Sequence, residues 1–181
     1  MMKRRGHLMG QNSSMRYWVI AAALSFATVA TPQSINTVVG TWKLISAANV
    51  TEKGERIENA YGLNPTGFLT YTTDGRMMGI INYGARKAFS SVPPPEQERA
   101  EAFSTFLAYA GRYTVSGDRI IHHVEAAWRQ DWVNTDQVRF IVKLQDNRLI
   151  LRTPPITNLN GLRLTYQELV WERLKADAAN R

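Results

Sequence analysis

Gly40-Thr41-Trp42 opens the first strand-like run of the chain, and Trp171-Glu172-Arg173 closes the last. An arginine at one end of a sheet can cover a tryptophan at the other only if the two edges meet, so the pair points to closure. A guanidinium over an indole face gains about 0.5–2 kcal/mol, more as the site dries. Taken singly, Trp42 reads as an ordinary core aromatic and Arg173 as an ordinary surface charge. The residues between them favour closure.

Residues 38–50 read as the first strand, followed by turn formers through Asn64-Pro65-Thr66-Gly67. Phe68 to Thr73 and Arg76 to Tyr83 form the second and third, joined by Asp74-Gly75, a dipeptide suited to the positive φ angles of a type I′ hairpin turn. After the break at Ser90 to Pro95, Glu96 to Ala110 reads as one helix, with acidic residues in its first turn and Gly111 as its stop. Phe103, Phe106, Leu107 and Ala110 fall at i, i+3, i+4 and i+7, an apolar face that would pack on the sheet as a lid or plug. Arg112 to Ser116, Arg119 to Ala127, Thr135 to Gln145, Arg148 to Thr153 and Leu162 to Leu174 complete eight strands. Short strands with hairpin connections predict an all-β antiparallel barrel or sandwich, with the helix between strands three and four.

The N-terminus has a different logic. Lys3, Arg4, Arg5 and Arg16 precede an apolar run from Tyr17 to Ala30, which ends in small residues before Pro32. The run is shorter than the ~20 residues a spanning helix needs, and the layout predicts a signal peptide over 1–30, an exported product and a barrel domain over 31–181. An uncleaved anchor and a start at Met15 are the alternatives; with cleavage, no stable membrane insertion is expected. The chain carries 22 Lys+Arg against 15 Asp+Glu. Without the four basic leader residues the excess falls from +7 to +3, too small to imply nucleic acid or an anionic membrane surface. Cysteine is absent, so an exported domain would stand on its core alone.

Two tight turns suggest strand registers. With Gly117-Asp118 as a turn, Val115 faces Ile120 and Tyr113 faces His122; with Asp146-Asn147 as a turn, Leu144 faces Leu149 and Val142 faces Leu151. A loop centred on Asp131 sets His122 against Phe140 and Val124 against Val138. The interior would then hold Tyr113, His122, Val124, Phe140 and their apolar neighbours, while His123, Glu125 and Arg139 stand outside. Two readings of His122 stay open: a core histidine satisfied by Tyr113 or a carbonyl, or a polar anchor in a greasy pocket. His123 and Glu125 read as a solvated charge ladder before a metal site.

Six ordered stretches carry a family resemblance: Gly-Thr-Trp-Lys-Leu at 40–44, Asn-Pro-Thr-Gly-Phe-Leu at 64–69, Tyr-Thr-Thr-Asp-Gly-Arg-Met at 71–77, Tyr-Ala-Gly-Arg-Tyr at 109–113, His-His-Val-Glu-Ala at 122–126 and Leu-Val-Trp-Glu-Arg at 169–173. With these the chain resembles the lipocalin-like domain proteins, small eight-stranded calycin barrels of bacteria and fungi. The resemblance implies a closed barrel with room for one small ligand. A binder of a small hydrophobic molecule, needing no cofactor, would use Tyr71, Tyr113, His122, Val124 and Phe140. A cofactor-independent isomerase or cyclase folding a polyketide or polyene would use the same cavity, with His122 or Tyr113 as acid or base. A barrel filled by its own side chains is the third reading. No nucleophile elbow, phosphate loop or zinc spacing points to other chemistry.

Overall fold

The computed structural model describes residues 37–175; the leader expected over 1–30 lies outside them. In chain order the elements are β1 (Gly40–Thr51), β2 (Arg56–Glu58), β3 (Thr66–Tyr71), β4 (Arg76–Asn82), α1 (Glu96–Ser104), β5 (Phe106–Ser116), β6 (Arg119–Ala127), a 3₁₀ turn (Gln130–Trp132), β7 (Asp136–Gln145), β8 (Arg148–Arg152), β9 (Ile156–Thr157) and β10 (Arg163–Arg173). The eight expected strands are present, and β2 and β9 are short additions. All pairings are antiparallel, and the order β1-β3-β4-β5-β6-β7-β8-β10 returns from β10 to β1. The sheet is therefore an eight-stranded closed barrel. No helix among the described residues is long and apolar enough to cross a membrane.

Closure brings the two ends of the sequence pattern into contact. Trp42 and Arg173 are cross-strand partners, and the guanidinium carbon lies 4.1 Å from the indole centroid. Trp42 is fully buried and donates its ring N–H to the Val38 carbonyl at 2.8 Å. Arg173 also donates to the carbonyls of Thr37, at 2.6 Å, and Val39. Gly40 makes room for this: its φ is +132°, and a Cβ there would sit 2.6 Å from Arg173 Nη1.

The Trp42 end of the barrel is the tightly turned one. Strands β3 and β4, β5 and β6, and β7 and β8 join there through turns of a few residues, and the backbone N–H of Arg173 reaches the Asn147 carbonyl at 2.9 Å. Core residues Trp42, Tyr71, Met77, Ile120, Leu149 and Trp171 come from the strand ends that meet here. The β3–β4 turn is not type I′. Positive φ occurs at Gly75 alone and Thr72 pairs with Arg76 around three loop residues, the alternative hairpin geometry in which one glycine takes the left-handed site.

Two expectations fail locally. The helix ends at Ser104 instead of Ala110, and none of its residues is buried. Phe106, Leu107 and Ala110 belong to β5, which pairs with β4 from Asn82↔Phe106 to Arg76↔Arg112. A full ladder of interstrand bonds outweighs a helical spacing that the same residues also satisfy. Gly111 is no helix stop but a buried strand residue at the β5–β6 bulge. A Cβ there would sit 1.9 Å from the His123 carbonyl oxygen.

The second failure is the β6–β7 register. The short-turn pairings Val115↔Ile120, Tyr113↔His122 and Leu144↔Leu149 are as expected. A bulge between Ile141 and Lys143 then sets Ile141, not Val142, against Leu151, and Val142 is 46% exposed. Across the longer loop, His122 faces Gln137, Ile121 faces Val138 and Arg119 faces Phe140. That is an odd shift of three residues from the expected pairing, so the β7 side chains from Gln137 to Val142 change face, while the bulge keeps Leu144 against the core. The cause is local: the loop closes at Val124 and Thr135, whose N–H···O distance is 3.0 Å, with Asn134 at φ 64° and a 3₁₀ turn inside.

Candidate functional site

Long connections gather at the barrel end opposite the tight turns, and beneath them opens a cavity of about 120 Å³. That is far more than the ~10–15 Å³ needed to hold one water. Leu69, Ile81 and Leu107 give it an apolar floor, and Trp128 and Trp132 form part of its rim. The rim aromatics pack edge to face: Trp128 and Trp132 at 4.9 Å, and Tyr109 on Trp132 at 5.4 Å. Polar atoms come from His122, Tyr109, Gln137, Arg139 and Gln167.

His122 is completely buried. Its Nε2 lies 2.7 Å from the Tyr71 hydroxyl and its Nδ1 2.9 Å from the Tyr109 hydroxyl. Burial, reinforced by the charges of Arg139 and His123, pushes its proton affinity well below the usual imidazole range. The ring is therefore neutral and has one N–H to give. Burial likewise holds the Tyr71 phenol well above its usual range, so Tyr71 keeps its proton.

Donor counting assigns the tautomer. Nε2 of His122 is the acceptor that the Tyr71 hydroxyl meets among the described residues, so Tyr71 donates to it. Nδ1–H then donates to Tyr109 Oη, which also accepts from Arg139 Nη2 at 3.4 Å. The Tyr109 proton is left with no acceptor in this network. A ligand reaching Tyr109 can therefore accept a hydrogen bond from its hydroxyl.

Of the residues expected to bind, His122 lines the cavity. Tyr71 lies behind it as its hydrogen-bond partner, and Val124 is core. Tyr113 packs edge-on to Tyr71 at 4.8 Å and donates to the Thr72 carbonyl at 3.0 Å, away from His122. Phe140 is on the outer face, where the Arg119 guanidinium lies 5.3 Å from its ring centroid. Arg139, expected outside, is inside, with Gln137 beside it. His123 is outside as expected, but its partners are Asp136 at 2.7 Å and Thr114 at 3.1 Å, while Glu125 engages Arg76 and Arg112. No α1 residue lines the cavity, so the helix is not its plug.

Tyr109, Gln137 and Arg139 escaped the sequence reading for two separate reasons. Tyr109 was absorbed into the helix, and sorting Val138 and Phe140 inward sent Gln137 and Arg139 out. Phe140→Ala is accordingly expected to cost about 1 kcal/mol or less in a thermal melt and to leave ligand affinity unchanged in a titration. A weakened affinity would contradict its outer placement.

The family model described as lipocalin-like domain matches residues 39–174. No curated protein matches the chain. Similar solved structures include an uncharacterized protein from Bacteroides eggerthii DSM 20697, at 12% identity over 75% of this chain and 98% of that one, TM-score 0.38. A lipocalin-like protein from Bacteroides uniformis ATCC 8492 gives 11% identity over 75% and 97%, TM-score 0.39. A mutant of the fluorescent protein UnaG gives 15% over 77% and 97%, TM-score 0.34.

Proposed function

The chain belongs to the lipocalin-like domain family, and from that premise we propose that it is an exported protein that holds one small, largely hydrophobic molecule in the barrel cavity, without a cofactor. The observation that carries this reading is the cavity itself: an apolar hollow lined by a few fixed polar groups, below the long loops. Ligand sites in proteins have this composition, apolar walls with sparse polar groups that orient the guest. The basic, apolar, small-residue order of positions 1–30 supports export.

A neutral fluorogenic probe, N-phenyl-1-naphthylamine, tests the reading. Titration into the protein is expected to give a saturable, blue-shifted rise in emission. Leu107 is half-buried on the cavity wall, and Leu107→Trp should lower the affinity at least tenfold by filling the space. A probe that fails to saturate, or that binds equally well to the filled variant, would remove the cavity as the binding site.

A further inference from the structure

Charge and hydrogen-bond capacity inside the cavity are lopsided. The lining residues include no Asp or Glu. Two are arginines, but they differ: Arg129 is paired with Asp131 at 2.6 Å, whereas Arg139 meets no carboxylate among the described residues. Arg139 donates instead to its neighbour's carbonyl, Val138 O, at 2.8 Å and to Tyr109 Oη at 3.4 Å. Its charge acts on the phenols of Tyr61 and Tyr71 and on the His122 ring. A guanidinium among aromatic rings, partly withdrawn from water, costs free energy unless an anion meets it.

The neutral donors lean the same way. Trp128 and Trp171 both line the cavity, and the buried ring N–H of each has no acceptor among the described residues. Such orphaned donors are uncommon in folded proteins and call for an explanation. Tyr109 has a hydroxyl proton left over once Tyr71, His122 and Arg139 are accounted for. The amide of Gln167 does not redress the balance: its Oε1 already accepts from Tyr61 at 2.6 Å, and its Nε2 donates to Asn49 at 2.9 Å.

We propose that the ligand is a small hydrophobic acid whose carboxylate is received by Arg139 and the Tyr109 hydroxyl, with its apolar body among Leu107, Trp128 and Trp132. A carboxylate is acceptor-only and fits the guanidinium fork. The neutral imidazole acts here as a positioning group: it fixes the Tyr109 oxygen and, by staying uncharged, puts no second cation beside the first. The proposal rests on the cavity-binding reading above and adds the chemical class of the guest.

Decanoate and decan-1-ol, which share a chain and differ at the head group, separate the two claims by calorimetry at pH 7.5. Decanoate is expected to bind at least tenfold more tightly than the alcohol. Arg139→Met should bring the two to within about twofold by weakening decanoate alone, and Tyr109→Phe should weaken decanoate several-fold with little change for the alcohol. Alcohol binding equal to or tighter than acid binding in the wild-type protein overturns the acid proposal while leaving the cavity reading intact, and so does a preference that survives Arg139→Met. If neither compound binds, both readings fall. The wild-type comparison decides the matter even if a variant does not fold.

Discussion

Trp42→Ala should lower the unfolding midpoint by roughly 10 °C. Removing a fully buried tryptophan costs about 3–5 kcal/mol, and each kcal/mol moves the midpoint of a domain of this size by about 2–4 °C. Beyond its volume, Trp42 is the platform on which the Arg173 guanidinium rests and a donor to the Val38 carbonyl. Arg173 in turn ties the segment before β1 to β10 through the carbonyls of Thr37 and Val39. The residues should therefore be coupled. A double-mutant cycle of Trp42→Ala and Arg173→Ala is expected to show an interaction energy of about 1–2 kcal/mol, and Gly40→Ala should imitate part of the arginine loss by pushing its side chain aside. Strict additivity of the two alanine variants would mean that the latch is two unrelated side chains.

The latch was legible because it depends on residue identity at strand ends, which the pattern of turns places well. Strand β6 has the bounds expected from sequence, Arg119 to Ala127, and the two tight-turn pairings around it held because a short turn leaves no freedom in register. Freedom enters with length. The β6–β7 connection is long enough to hold a 3₁₀ turn and a pair of tryptophans, and hydrophobic sorting chose the register that buried Val138 and Phe140. The barrel instead turns Gln137 and Arg139 inward, against the rule that apolar side chains fill interiors. The rule failed at the cavity, where the barrel leaves a hollow and polar side chains can point inward without displacing packed core. Tyr109 was hidden by a different degeneracy: Phe103, Phe106, Leu107 and Ala110 satisfy a helical period, while Leu107, Tyr109 and Gly111 alternate equally well as a strand. His122 alone came through as a cavity residue, since its position follows from the Gly117-Asp118 turn.

That histidine should also leave a mark on stability. His122→Leu is expected to destabilise the fold at pH 7.5 by about 1–3 kcal/mol, because the buried Tyr71 hydroxyl loses its acceptor. The sign of the pH dependence follows from linkage. In the folded protein the imidazole, hemmed in by Tyr71, Tyr109, Arg139 and His123, resists protonation far more than the free side chain does. Above about pH 6.5 the ring is neutral in both folded and unfolded chains, so the full contribution is present. As the pH falls below that value the unfolded chain takes up a proton that the folded one refuses, and stability drains by at most ~1.4 kcal/mol per pH unit, down to the depressed folded value. Glu98, Glu125, Asp131 and Glu168, all held below the usual carboxylate range, keep their stabilising contribution until the pH nears 4.5, and they are common to both proteins. The difference between wild-type and His122→Leu in urea unfolding, taken from pH 7.5 to 5.0, therefore isolates the imidazole. The wild-type advantage should be constant above 6.5 and shrink below it. An advantage that grows toward acid would mean that His122 is stabilised as a cation, and a second positive charge beside Arg139 would replace the neutral positioning of Tyr109 that the proposed acid recognition invokes.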